Sequence, residues 1–76
     1  MRDTVIEILN GIHPGTDYET EDSLIDSRVL DSFDVVTLVG ELMDEFGVQI
    51  LAEHMIPENF NSVDAIVHLL EDLEEA

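Results

Sequence analysis

Cysteine and lysine are both absent from this chain, and arginine occurs only twice, at Arg2 and Arg28. With no cysteine there can be no disulfide and no thiolate metal site, so any thiol chemistry must come from an attached group. The same absence fits a reducing compartment. No run approaches the ~20 apolar residues of a membrane span, and no basic, apolar leader opens the chain. A soluble, cytoplasmic protein without membrane insertion is therefore expected. There is no calcium loop of the D-x-D-x-D-G type, so no specific metal site is expected, only diffuse binding of divalent cations. Internal repeats, low-complexity segments and strand alternation are missing as well. The 76 residues make a single domain, 1–76, with no covalent staple, so its stability has to come from packing.

What is abundant is negative charge. Nineteen acidic residues against two arginines give a formal charge of −17. Such a surface repels nucleic acid and anionic membranes, attracts basic patches and opposes self-association, so a monomer is expected. Disorder is the alternative for so charged a chain. A hydrophobic content of 45%, regularly spaced, argues for a folded domain instead.

Val5, Ile8, Leu9 and Ile12 recur at helical spacing and predict a first helix over Thr4 to Ile12, with an earlier start at Arg2 or Asp3 as the alternative. Thr4 with Glu7 is a candidate capping box, and His13-Pro14-Gly15 is the stop. Thr16 to Leu30 is polar and reads as a long ordered loop, pinned by Leu24, Ile25, Val29 and Leu30. A short helical turn is expected between Ala52 and Asn59, then a turn over 56–60 with apolar anchors at both ends. The last helix begins at Asn61 or Ser62, with Val63, Ile66, Leu70 and Leu73 as its apolar stripe. Its carboxyl end is acidic, which opposes the helix dipole, and fraying is expected there. The fold class is all-α: a small four-helix bundle, three long helices and one short, with a long loop between helices 1 and 2.

The strongest pattern runs from Asp31 to Phe46. Asp31 or Ser32 suits a helix cap, since either has a short side-chain oxygen for the free amides of the first turn. At ~100° per residue, Val35, Leu38, Val39, Leu42 and Phe46 share one arc. Asp34, Thr37, Glu41, Asp44 and Glu45 lie opposite, with Phe33, Val36, Gly40 and Met43 between. Gly47 is placed to end the helix in a left-handed cap. The stretch thus predicts a buried face, an acidic face, a semi-exposed apolar stripe and a serine hydroxyl at the amino end.

Little here suggests catalysis. The three histidines, His13, His54 and His68, are far apart in the chain, and each has the ordinary reading of a surface or half-buried side chain. The carboxylates read as a solvated face. Three serines follow an aspartate, Ser23, Ser27 and Ser32, but only Ser32 stands directly before the strongest helix. Taken alone, an Asp-Ser pair is most simply a helix cap.

The wider pattern says more. Leu30-Asp31-Ser32-Phe33-Asp34, then Val36, Leu38-Val39, Leu42, Glu45-Phe46 and Ile50, resembles the phosphopantetheine-attachment segment of acyl carrier proteins. Pro57-Glu58-Asn59-Phe60-Asn61-Ser62-Val63-Asp64-Ala65-Ile66 is similar to the start of that family's last helix. The resemblance covers essentially the whole chain. It implies that Ser32, flanked by Asp31, accepts 4′-phosphopantetheine from coenzyme A through a phosphopantetheinyl transferase. It implies a non-catalytic carrier whose arm bears acyl or aminoacyl groups as thioesters. Asp34, Glu41, Asp44 and Glu45 would then steer the carrier onto loading and acyl-transferring enzymes with basic patches, and Phe33, Val36, Gly40 and Met43 would make the apolar contact. Phe33 stands where fatty-acid-synthesis carriers commonly have leucine. Thr37, Met43 and Gly47 stand where acidic residues are frequent. Asp-Ser-Phe also resembles D-alanyl carriers and other stand-alone carriers, so the cargo is open between fatty-acid synthesis and a specialised pathway. Two other readings are an unmodified acidic docking module, with Ser32 only a cap, and an acidic mimic of nucleic acid.

Overall fold

The apolar spacing of the first segment produces α1 (Arg2–Ile12) in a computed structural model that describes residues 1–75. Val5 and Leu9, one turn apart, are fully buried, and Ile6, Ile8 and Ile12 pack beside them. The helix starts ahead of Thr4, so the Thr4–Glu7 capping box does not form; Met1 occupies the N-cap without a side-chain cap bond. The amino end is tethered by Arg2, whose guanidinium pairs with Asp64 and donates to the Glu19 carbonyl at 3.3 Å. At the other end His13 donates its N–H to the Leu9 carbonyl at 2.8 Å before Pro14 turns the chain away.

α2 (Ser32–Phe46) buries Leu38, Val39 and Leu42, with Val35, Met43 and Phe46 partly covered. It ends as expected at Gly47, whose φ of 66° and ψ of 27° are left-handed. Its N–H bonds the Met43 carbonyl at 3.0 Å. Glycine carries no Cβ to clash there.

The helical turn expected within 52–59 is a 3₁₀ turn, Ala52–His54, and the turn expected over 56–60 is itself helical, α3 (Pro57–Phe60). Pro57 is the cause. It serves as the first residue of α3 because it has no N–H to lose, and it excludes the preceding residue from helical geometry. Ile56 is accordingly extended, with φ −110° and ψ 150°. The two apolar anchors expected here therefore separate. Phe60 is 1% exposed, but Ile56 turns outward and is 44% exposed.

α4 (Val63–Glu75) is capped by Ser62, whose hydroxyl oxygen accepts the Ala65 N–H at 3.0 Å. Val63, Ile66, Leu69 and Leu70 are buried, and Val67 and Leu73 are partly so. His68 is exposed, 3.8 Å from Asp72 one turn on. The helix extends to Glu75 through the acidic end where fraying is expected.

Asn61 has a different task from capping. Its side-chain oxygen accepts the N–H groups of Ile25 (2.9 Å) and Asp26 (3.1 Å), and its amide donates to the Asp26 carboxylate at 3.2 Å. Its backbone carbonyl accepts from Leu24 at 2.8 Å. One residue thus fastens the long loop to the α3–α4 junction. The loop closes on itself where Leu30 donates to the Leu24 carbonyl at 3.0 Å. Leu24 and Leu30 are buried, as is Tyr18, while Ile25 and Val29 are only partly covered. Asn61→Ala should cost about 1–3 kcal/mol, because two loop amides lose their acceptor. Thermal unfolding checks the cost, and faster amide exchange at Ile25 and Asp26 than at Leu9 locates it.

Tyr18 locks the loop onto α1 by donating its hydroxyl to the carbonyls of His13 and Leu9, the latter at 3.4 Å. Burial raises the phenol above its usual 10.0; a hydrogen bond with Thr16 lowers it, and the Asp34 carboxylate raises it further. The folded protein therefore keeps this proton at pH values where the unfolded chain loses it. The resulting stability is fully present below about pH 10 and is lost as pH rises through the folded value. Tyr18→Phe should flatten the decline in unfolding free energy above pH 10, at the cost of the carbonyl bonds at neutral pH. An unchanged alkaline decline would mean that another group causes it.

α1 lies against α2 and α4, and α3 packs on α4, in a body of 32 × 23 × 19 Å. Leu38 and Leu42 reach the common core and Phe46 closes its edge. No charged or polar residue is buried among those described. This is the all-α bundle expected: three long helices and a short one, a long loop between α1 and α2, and no strand among the described residues. No described helix is long and apolar enough to cross a membrane.

Candidate functional site

The site begins with a division of labour between neighbouring residues. Asp31 is extended and caps α2: its Oδ1 accepts the Asp34 N–H at 2.8 Å. Asp34 reaches back, its Oδ2 accepting the Asp31 N–H at 3.4 Å, which completes a capping box made of two aspartates. Both carboxylates sit at the positive end of the helix dipole. Of the two candidate caps, Asp31 serves. Ser32 is left as the first residue of the helix, exposed, with no hydrogen bond to its hydroxyl from any described residue.

Ser32 stands on the lip of an open groove of about 580 Å³. The loop supplies Ile25, Asp26, Arg28 and Leu30 to it. α2 adds Val35 and Val36, and the far wall is Met55, Ile56, Pro57 and Phe60. Pre-proline geometry explains that wall, since extended backbone at Ile56 turns an apolar side chain out over the groove. Arg28 has a φ of 64°, the one left-handed residue besides glycine among those described. That conformation costs about 1–2 kcal/mol for a residue with a Cβ, and the closed loop around it holds it in place.

The predicted apolar stripe is real but divided. Phe33 is 77% exposed and Val36 61%. Val36 lines the groove beside α3, whereas Phe33 lies over a second groove on the α1 side, with Asp34, Thr37, Glu41 and Glu45. Gly40 is exposed between them, and Met43 is half-buried against the core. Asp44, Glu41 and Glu45 are exposed, while Asp34 is half-buried because it closes the capping box. Met55 is exposed and lines the first groove.

The groove sets the Ser32 alcohol beside the carboxylates of Asp26 and Asp31, neither of which bonds it. No histidine lines either groove, and no cluster of three or more His, Cys, Asp or Glu suits a metal ion. The arrangement fits a phosphopantetheine chemically: an unengaged primary hydroxyl, a cationic side chain in the same groove for the phosphate, and apolar walls beside it. Of the groove's lining residues, sequence reasoning assigned only Asp31, Ser32 and Val36 to the site; Arg28, Ile25, Met55, Ile56 and Pro57 are among those it did not. Their signal was present: a rare cation four residues ahead of Ser32, and an apolar Met55-Ile56-Pro57 run directly after Glu53-His54.

No protein-family model matches this chain, and no curated protein matches it.

Proposed function

We propose that the protein is a carrier that bears acyl or aminoacyl groups on 4′-phosphopantetheine attached to Ser32. The observation that carries this reading is the unengaged Ser32 hydroxyl: because Asp31 does the capping, a serine at the head of the main helix has no structural employment. The resemblance of the segments around Ser32 and Pro57 to acyl carrier proteins supports it, as do the groove beside Ser32 and the all-helical bundle. A transferase would supply the base and metal. The Ser32 Oγ–P bond forms as the pyrophosphate P–O bond of coenzyme A breaks; the adenosine bisphosphate leaves, and the serine proton passes to the transferase. The attached arm supplies a thiol for thioester chemistry, which the cysteine-free chain cannot. The absence of cysteine also means that no second thiol competes for cargo.

The test is intact-protein mass after incubation with a broad-specificity phosphopantetheinyl transferase, coenzyme A and magnesium. Addition of one arm to the parent chain is the expected result. No addition to folded protein by active transferase would favour an unmodified docking module.

The acidic residues near Ser32 would guide encounter with basic enzyme surfaces. Exposed charges change association rates more than they change stability. Asp44→Lys or Glu41→Lys should slow association with the transferase several-fold at low salt, and Glu74→Lys, at the far end of α4, should not. Equal slowing by all would reduce the acidic face to a matter of net charge.

A further inference from the structure

We infer that Arg28 holds the phosphate of the group joined to Ser32, acting as a positioning residue for the arm; this rests on the carrier reading above. Arg28 and Ser32 line the same groove. The chain has two arginines, and Arg2 is occupied by Asp64 and the Glu19 carbonyl. Arg28 makes no ion pair and no side-chain hydrogen bond among the described residues, although the chain has nineteen acidic residues and two of them, Asp26 and Asp31, share its groove.

Charge explains why such a cation is needed. A phosphodiester on Ser32 adds an anion beside Asp31 and Asp34, in a chain already at −17. Like charges so close repel, and the repulsion would drive the arm outward. A guanidinium offsets this and presents a planar fork of donors that matches two phosphate oxygens. The position of Arg28 is also determined: the loop is closed by Leu30 on Leu24 and clamped by Asn61, so the guanidinium enters from a fixed backbone. A glycine would sit at φ 64° without strain, yet the residue there carries the longest cationic side chain available.

The experiment compares the parent chain with Arg28→Gly, which suits the backbone and preserves the fold, and with Arg28→Lys, which keeps charge without the fork. Each is loaded with coenzyme A and transferase, and loading is read by intact mass. The ³¹P resonance of the arm and the ¹H–¹⁵N resonance of Arg28 Nε are then recorded. In the parent, loading should shift the Arg28 Nε–H. The ³¹P line should lie away from that of a phosphopantetheinylated serine peptide and move towards it with added salt. Arg28→Gly should show the peptide position, and Arg28→Lys an intermediate one. If the parent gains the arm but the Nε–H does not move and the ³¹P line is the same in Arg28→Gly, Arg28 does not hold the phosphate while the carrier reading stands. If the parent gains no arm, both fall.

Discussion

Ser32→Ala should abolish the mass increase expected on incubation with transferase and coenzyme A, while leaving unfolding free energy within about 0.5 kcal/mol of the parent. The two halves of this expectation have separate causes. On the carrier reading the modification should be all-or-none, because Ser32 would supply the only oxygen that becomes bonded to phosphorus. Stability is nearly unchanged because the hydroxyl makes no hydrogen bond to a described residue and lies in solvent. Asp31→Ala should give the converse. It removes the acceptor for the Asp34 N–H and opens the capping box, which costs about 1 kcal/mol. A fraction of loading should survive in it, since the hydroxyl remains. Chemical denaturation beside intact mass separates the variants. A loss near 1 kcal/mol in Ser32→Ala would give the serine a structural role, and continued arm addition to that variant would move the acceptor to Ser23 or Ser27.

Phe60→Ala is expected to be the most damaging single substitution to the fold. Phe60 is the largest fully buried side chain and also forms the inner wall of the groove, so it joins core to site. Truncating a buried phenylalanine costs about 3–5 kcal/mol through lost transfer free energy and the cavity left behind. At roughly 0.05–0.15 kcal/mol per residue, a chain of 76 residues has only about 4–11 kcal/mol in total. The variant should therefore unfold at much lower urea and lose helical circular dichroism well below the parent midpoint. Ile56→Ala, four residues earlier on the same wall but 44% exposed, should cost under about 1 kcal/mol. Similar losses for the two would show that the groove wall, and not the core, sets the cost at this end of the bundle.

Much of the fold was legible because helical periodicity is a local signal. Leu38 and Leu42, Val5 and Leu9, and Ile66 and Leu70 each lie one turn apart, and burial follows that spacing. Gly47 signalled its own left-handed cap. Thr4 failed as a cap because helix starts compete, and Arg2, paired with Asp64 sixty-two residues away, holds an earlier one. Asn61 and Ser62 were equivalent as caps until the loop amides of Ile25 and Asp26 claimed the asparagine and left the serine to α4. Ile56 read as a core anchor because it is apolar, but Pro57 forbids it the helical geometry that would turn it inward.

An acidic, cysteine-free, all-helical chain, its apolar faces and a serine at the head of its main helix could all be read along the chain. These follow from composition and from contacts within one or two helical turns. Tertiary packing was needed to divide the apolar stripe between two grooves and to bring Arg28 into the groove of Ser32. The first follows from where α1 and α3 pack against α2, and the second from where a nineteen-residue loop (13–31) settles. That is fixed by the burial of Tyr18, Leu24 and Leu30 and by hydrogen bonds from Asn61, groups too distant in the chain for any local pattern to connect.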